Sequence, residues 1–263
     1  MVHRKIKSTV ICSPSTRNFI KGDRYIIVKN PPDETILSQI DSIENVICVG
    51  GGAVIDYAKI VSKGPIKECY PTTASGSSET SHAVYWIGDK KMGIKRNLPE
   101  KVIIEEKFFR GLSYDMFIFT MCDMIAHCLD VKWSLDSNPE SLSLAEEALS
   151  LIENKDKESL IRAGILAGRA IEITPTTILH SLSYPLTGIY GISHGKALSY
   201  LIPRISHITN DNIPDIEYIK DLGDIDWKLI VEEAYKYEKI KKVNFKISKK
   251  ILINILESKF PIR

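Results

Sequence analysis

The sequence lacks any run of 18 apolar residues, so it contains no candidate transmembrane helix of the usual length. It also lacks an apolar stretch of signal-peptide length near its start. Its charge is nearly balanced, with 35 Lys and Arg against 33 Asp and Glu, which gives no general case for nucleic acid or an anionic membrane as the main partner. We therefore expect a cytoplasmic protein with neither nucleic acid nor membrane as a partner.

The cysteines show no spacing that indicates paired or metal-binding cysteines. The five cysteines include no C-x-x-C, which excludes zinc-ribbon spacing, and an odd number does not make a closed disulfide framework. With 263 residues, 44% of them hydrophobic, the chain can bury a sizeable core without such cross-links. The composition indicates an ordinary globular protein of one or two domains.

The apolar pattern changes character along the chain. Up to residue 105, short β-branched runs at 25–28 and 46–49 alternate with helical spacing over 33–43, and a further strand is predicted at 102–104. Strand–helix alternation is typical of a parallel sheet covered by helices. We therefore predict an α/β domain over residues 1–105.

From residue 106 onward the strand signals vanish and apolar residues recur with helical spacing. The predicted helices cover residues 121–135, 141–153, 158–173 and 227–237. Prolines and glycines interrupt residues 174–195, which we predict to be a mixture of short helix and loop. Residues 106–263 are therefore expected to form an all-α domain.

Two segments of the first half suit a nucleotide. The strand at 46–49 leads into Gly50, Gly51 and Gly52 and then a helix, and glycines let backbone N–H groups approach a diphosphate at the positive end of that helix. Residues 71–79 are rich in hydroxyl side chains, which suit a phosphate or a ribose. A tight turn and a solvated loop without any ligand have the same composition, so the residues alone leave both interpretations open.

Four residues of the second half suit a metal. Asp123 and His127 are four apart on a predicted helix, so their side chains lie on one face, among apolar neighbours. A charge there is costly unless it is paired or metal-bound. His180 and His194 follow downstream. Each histidine alone is more often structural, but one Asp and three His together favour a divalent transition-metal site.

The order of these motifs resembles that of the iron-containing (group III) alcohol dehydrogenase superfamily, which also contains glycerol dehydrogenases and, more distantly, dehydroquinate synthases. Gly50 to Lys59 match the family's G-G-G-S-x-x-D-x-A-K, and residues 71–79 match its P-T-T-A-G-T-G-S-E with changes in the middle. Asp123 and His127 match its D-x-x-x-H, and His180 and His194 match its two later histidines. The resemblance implies a dehydroquinate synthase-like architecture, with a shortened Rossmann-like dinucleotide-binding domain followed by a helical metal-binding and catalytic domain.

The resemblance also implies roles for individual residues. It assigns Fe²⁺, or Zn²⁺ as second choice, to Asp123, His127, His180 and His194, and it places Tyr184 where the family often has another histidine near the nicotinamide. It implies NAD or NADP as cofactor. The implied contacts are Asn30 near the adenosine, Gly51, Gly52 and Ala53 at the diphosphate, Asp56 in the same motif, Thr72, Thr73 and Ser78 near the nicotinamide, and Lys91 at a ribose.

Three features bear on how far the resemblance extends. Only residues 1–49 precede the glycine turn, so we expect a shortened first strand–helix unit. No acidic residue for the adenosine ribose is evident after the first strand. Asp130 lies three residues past His127, where the family commonly has glutamate, and is a candidate partner for a metal ligand.

The function that the resemblance implies is a metal-dependent NAD(P)-linked oxidoreductase interconverting a small alcohol and an aldehyde or ketone, as a homodimer or larger homo-oligomer. A polyol-phosphate dehydrogenase or a sugar-phosphate cyclase or lyase of the same superfamily is one alternative, and a degenerate, non-catalytic nucleotide-binding protein is another. Residues 236–250 carry seven lysines against one glutamate, which is typical of either an anion-binding patch or a solvent-exposed helical face.

Overall fold

The computed structural model describes residues 7–109, 111 and 113–258. The chain divides into two compact units, Met1–Leu112 and Ser113–Arg263. The first unit contains a parallel sheet with helices, and the second is built from helices. This order confirms the fold class that the sequence predicts.

Four parallel strands form the sheet of the first unit. They are β1 (Thr9–Cys12), β2 (Arg24–Ile27), β3 (Val46–Gly50) and β4 (Glu68–Pro71). Their order in the sheet is β2-β1-β3-β4, so β1 and β3 are paired on both sides. Both central strands are almost wholly buried, which explains why they read as continuous apolar runs rather than as alternating ones.

The carboxyl ends of the four strands lie at one edge of the sheet because all four run in the same direction. Helix α1 (Gly52–Val61) begins there, immediately after β3, with Gly51 as its extended N-cap residue. Ligands of open α/β sheets bind at this edge. The fold therefore places the glycine turn where a nucleotide would bind.

An antiparallel hairpin in the first unit is not predicted by the sequence pattern. Strands β5 (His82–Ile87) and β6 (Lys90–Lys95) pair through a two-residue turn of Gly88 and Asp89. Gly88 has a φ of 58°, a conformation that glycine adopts without strain. Most of β6 is exposed and polar, so it carries little of the apolar pattern that identifies a strand.

Two elements of the first unit are shorter than the pattern predicts. The spacing over residues 33–43 predicts a helix, but the structure contains a 3-10 helix, Glu34–Gln39, in which Ile36 alone is fully buried. The strand expected at residues 102–104 is a single parallel bridge between Val102 and Cys69, at the side of β4. Apart from Ile36, the residues of both segments are only partly buried or exposed, so little packing supports a longer regular element.

Helices build the second unit. They are α2 (Tyr114–Trp133), α3 (Pro139–Glu153), α4 (Lys157–Ile173), α5 (Ile178–Tyr190), α6 (His194–Thr209), α7 (Trp227–Ala234) and α8 (Lys249–Glu257). Helix α2 packs against α3, α4, α5 and α6, and its residues are accordingly buried on most sides. Among the described residues, no helix is long and apolar enough to cross a bilayer.

Helix α5 corrects the expectation of a helix–loop mixture over residues 174–195. It continues without interruption through Pro185 and ends at Gly191, which has a φ of 66°. An interior proline costs about 3 kcal/mol of helix stability. Every residue from 178 to 186 is buried, however, so the packing of this segment outweighs the local preference to break the helix.

Candidate metal centre and nucleotide-binding turn

Four predicted metal ligands converge in the second unit from three helices. Helix α2 carries Asp123 and His127, α5 carries His180, and α6 begins at His194. The Nε2 atoms of His127, His180 and His194 lie 3.6, 3.5 and 3.4 Å from Asp123 Oδ1. Ligand atoms of Asp123, His180 and His194 all lie within 4.8 Å of one another. The structure thus brings all four side chains around one carboxylate oxygen.

Close packing of α6 on α2 places His194 in this cluster. A Cβ atom on the next residue, Gly195, would lie 2.7 Å from the backbone oxygen of Phe119 on α2. Only glycine permits this approach of the two backbones. Gly195 therefore lets the first turn of α6 approach α2 near Asp123.

The charges of the cluster stabilise one another. Burial alone would raise the pKa of Asp123, but His127, His180 and His194 hold it well below its usual range. Burial alone would lower the pKa of His180, but the nearby carboxylates of Asp123 and Asp130 raise it to about 9. Asp123 is therefore ionised at neutral pH, which is the state in which a carboxylate binds a metal.

Buried ligand atoms of the cluster have no hydrogen-bond partner within the described part of the chain. Asp123 Oδ1 and His180 Nε2 are among them, and both can coordinate a metal. An unsatisfied buried polar group costs about 1–3 kcal/mol. A divalent cation would satisfy both atoms, and imidazole with carboxylate is a ligand set suited to iron or zinc. The residues present therefore fit a divalent transition metal.

Asp130 orients one of the histidines. Its carboxylate is fully buried on α2, and its Oδ2 atom lies 2.8 Å from His180 Nδ1. Its Oδ1 atom accepts hydrogen bonds from Thr177 Oγ1 and Leu179 N, each at 3.0 Å. A carboxylate on Nδ1 directs the other ring nitrogen, Nε2, toward Asp123, in the arrangement common for metal-bound histidines.

Tyr184 lies next to the ligands, one turn after His180 on α5. Its ring centroid lies 6.1 Å from that of His194 and 6.4 Å from that of His180. Lys239, in the 3-10 helix Glu238–Lys241, donates a hydrogen bond from Nζ to Tyr184 Oη at 2.7 Å. The sequence does not single out Lys239, because its spacing does not distinguish it from the neighbouring lysines.

In the first unit, the glycine turn and the hydroxyl-rich loop are in direct contact. A Cβ atom on Gly51 would lie 3.2 Å from Thr73 Cγ2, and one on Gly52 would lie 3.0 Å from Ser77 Oγ. Gly52 and Ala53 open the first turn of α1. The two nucleotide motifs of the sequence therefore form one continuous surface at the carboxyl edge of the sheet.

Lys59 of α1 fixes the hydroxyl-rich loop. Its side chain is 2% exposed, and its Nζ atom donates to Ser77 O at 2.7 Å, Thr80 Oγ1 at 3.0 Å and His82 O at 2.8 Å. A buried ammonium is costly unless acceptors surround it in this way. The sequence motif includes Lys59, but its positioning role depends on contacts that only the structure shows.

The other predicted cofactor residues occupy different environments. Asn30 is exposed after β2, Thr72 and Thr73 are half-buried after β4, and Ser78 is buried in the 3-10 helix Ser77–Glu79. These four follow the carboxyl ends of strands, as a nucleotide site requires.

Asp56 and Lys91 lie elsewhere in the first unit. Asp56 is buried in α1, and burial raises its pKa to about 6 against the opposing charges of Lys59 and Lys91. Lys91 lies on β6. Whether either residue contacts the cofactor stays a prediction.

We predict that Gly52→Ala lowers the affinity for NADPH about tenfold or more, because a methyl group would occupy the space that a diphosphate needs beside bare backbone. The same methyl also approaches Ser77 Oγ. The variant Ser77→Ala in the Gly52→Ala background removes that clash and separates the two effects. Gly93→Ala is the matched control, because nothing lies within 4 Å of a Cβ atom there.

Calorimetric titration of the four proteins with NADPH decides the question. The double variant is expected to bind as weakly as Gly52→Ala. Recovery of wild-type affinity in the double variant would show that the loss came from a displaced loop, and that the diphosphate does not lie on this turn.

Comparison with known proteins adds an independent line of support. A family model described as "Fe-containing alcohol dehydrogenase family, C-terminal" matches residues 117–250, which include all four ligand candidates. Phosphonoacetaldehyde reductase of Streptomyces viridochromogenes is 27% identical over 205 residues, covering 60% of this chain and 51% of that protein. The 1,3-propanediol dehydrogenase of Citrobacter freundii is 26% identical over 160 residues, covering 54% and 41%. The chain spans about half the length of these curated relatives.

A solved structure shows the same fold. Sulfoacetaldehyde reductase from Bifidobacterium kashiwanohense, crystallised in complex with NAD⁺, matches with a TM-score of 0.78 and 19% identity, covering 95% of this chain and 90% of that chain. The family model covers more than half of the 263 residues. The chain therefore belongs to the Fe-containing alcohol dehydrogenase family.

Proposed function

We propose that the protein is a metal-dependent NAD(P)-linked oxidoreductase that interconverts a small alcohol and an aldehyde or ketone. The observation that carries this proposal is the convergence of one carboxylate and three imidazoles, with ligand atoms left unsatisfied among the described residues. Family membership supports it, since the relatives include a phosphonoacetaldehyde reductase and a 1,3-propanediol dehydrogenase by name.

Iron is the first choice of metal. Four protein ligands leave room in the coordination sphere of Fe²⁺, whereas catalytic zinc sites more often use three protein ligands. When bound, the ion would act as a Lewis acid on the substrate oxygen, and NAD(P) would exchange a hydride with the substrate carbon.

The protein side chains divide the remaining work. Asp123 supplies one negative charge to the ligand set, and three neutral imidazoles supply none. A bound divalent ion would therefore keep a net positive charge, which favours a substrate oxygen that carries negative charge. Asp130 holds His180 with Nε2 toward the cluster. We assign proton exchange with the substrate oxygen to Tyr184, whose Oη atom accepts a hydrogen bond from Lys239 beside the ligand candidates.

The carboxyl edge of the sheet favours NADP(H). In dinucleotide-binding folds an acidic residue near the adenosine ribose disfavours a 2′-phosphate. Here β1 is followed by Ser13 and β2 is followed shortly by Lys29 and Asn30, none of which is acidic. A 2′-phosphate would therefore not be repelled by a carboxylate from these residues, and the positive charge of Lys29 would attract it.

Two nearby aspartates are engaged elsewhere. Asp23 precedes β2 at the amino edge of the sheet, where its carboxylate accepts a hydrogen bond from Ser8 N at 2.8 Å. Asp33 caps the 3-10 helix Glu34–Gln39 by accepting from Thr35 N at 3.0 Å. Asp23 therefore lies at the edge opposite the proposed site, and one carboxylate oxygen of Asp33 is engaged as a helix cap.

Loading the protein with Fe²⁺ under anaerobic conditions tests the proposed function. We expect about one ion per chain and oxidation of NADPH in the presence of small aldehydes, because the ligand set provides one site. His194→Ala removes a ligand at the start of α6 and is expected to abolish both metal retention and turnover. Metal content by atomic emission and NADPH absorbance measure the two effects.

The matched control is His207→Ala, which removes an exposed histidine from the last turn of the same helix and is expected to change neither property. Unfolding temperatures of the metal-free proteins show whether the fold is retained. Full turnover by chelator-treated His194→Ala would contradict the proposed metal site.

We further predict that NADPH binds at least as tightly as NADH. The difference between the two affinities is expected to decrease as salt rises, because exposed charge pairs are screened. Lys29→Ala is expected to reduce the preference for NADPH, and Lys21→Ala, at the opposite edge of the sheet, is expected to leave it unchanged. Dissociation constants of both reduced cofactors at low and high salt measure this. A preference for NADH of about tenfold or more would show that an acidic group is present after all.

A further inference from the structure

The lysine-rich segment 236–250 contains one lysine that differs from its neighbours. Four of the lysines form ion pairs with carboxylates at the surface: Lys236 with Glu233, Lys241 with Glu238, Lys242 with Asp136, and Lys249 with Glu232. Lys246 and Lys250 are exposed to solvent. Lys239 is partly buried instead, and no carboxylate of the described residues lies within 4.0 Å of its Nζ atom. Its positive charge therefore has no contacting carboxylate, and the buried Asp130 attracts it only from a longer distance.

Neutral groups hold the Lys239 ammonium. Its Nζ atom donates to Tyr184 Oη at 2.7 Å and to Thr176 Oγ1 at 2.8 Å, and it lies 4.5 Å from the centroid of the Tyr184 ring. An ammonium has three donors, so one remains for a further acceptor after these two bonds. Because these contacts already fix the Lys239 side chain, it would lose less conformational entropy on binding a ligand than a flexible lysine would.

The position of the ammonium links it to the metal-ligand candidates. The Tyr184 ring, which Lys239 contacts, lies nearly parallel to the ring of His194 and edge-on to that of His180. One aromatic ring therefore separates the cation from two of the four ligand candidates. A short substrate with its carbonyl at the cluster would extend past this ring to reach the ammonium.

A partly desolvated cation without a contacting carboxylate suits an anionic ligand, because charge attraction strengthens as water is excluded. A purely structural lysine would need only its hydrogen bonds, and a neutral donor would supply those without the cost of an unpaired charge. We propose that Lys239 binds an oxyanion group of the substrate, a carboxylate, phosphonate or sulfonate, and so selects short aldehydes or alcohols that carry a negative charge. This inference rests on the proposed oxidoreductase function.

Two aldehydes of equal chain length test the inference with the metal-loaded enzyme. Succinic semialdehyde carries a carboxylate, and butanal is its neutral counterpart. We expect kcat/KM of the wild type to favour the anionic aldehyde by about tenfold or more. Lys239→Met and Lys239→Gln remove the charge, and Gln keeps hydrogen-bond donors, so both are expected to abolish the preference, mainly through KM for the anionic aldehyde.

Two further variants serve as controls. Lys239→Arg keeps the charge and is expected to retain most of the preference. Lys241→Met removes an exposed lysine of the same 3-10 helix that pairs with Glu238, and is expected to leave the ratio unchanged. Equal losses with both aldehydes in Lys239→Met and Lys239→Gln, or a wild type that prefers butanal, would overturn the proposal and leave Lys239 a structural residue.

A binding measurement keeps this result distinct from a failure of the proposed function. Ethylphosphonate cannot be reduced, so its binding by calorimetry is independent of turnover. The wild type is expected to bind it about tenfold or more tightly than Lys239→Gln. If neither aldehyde is reduced, the oxidoreductase proposal fails, and equal binding of ethylphosphonate by both proteins overturns the role of Lys239 separately.

Discussion

The burial of one carboxylate among three imidazoles is the constraint on which the helical unit depends. An ionised Asp123 in an apolar interior is costly, and the cost is offset by His127 on its own helix and by His180 and His194 on two others. This interaction requires α2, α5 and α6 to approach closely, and Gly195 permits that approach. The residues proposed for catalysis are therefore also residues that determine how the unit packs.

The candidate ligand set could be predicted from the sequence because its signal is local and ordered. Asp123 and His127 share a helix face by spacing alone, and the later histidines follow in a recognisable motif order. The continuity of α5 could not be predicted, because an interior proline such as Pro185 usually breaks a helix. The sequence does not show that residues 178–186 are all buried. The environment of Lys239 was equally hidden, since it depends on contacts with Tyr184 on α5 and with Thr176 ahead of that helix.

The α/β unit shows the same division between local and tertiary signals. Its central strands were predictable because burial on both faces makes them continuous apolar runs. The hairpin of β5 and β6 was not, because most of β6 is polar and exposed. The contact between Gly52 and Ser77 and the three hydrogen bonds of Lys59 join segments that are distant in sequence, so they explain the motif only once the fold is known.

The central claim is that Asp123 and the three histidines bind one metal ion, and X-ray absorption spectroscopy of the iron-loaded protein tests it most directly. A site with this ligand set predicts a first shell of nitrogen and oxygen and the multiple scattering of about three imidazole rings. A spectrum with an all-oxygen shell and no imidazole scattering would contradict the account, because the ion would then be bound away from the histidines.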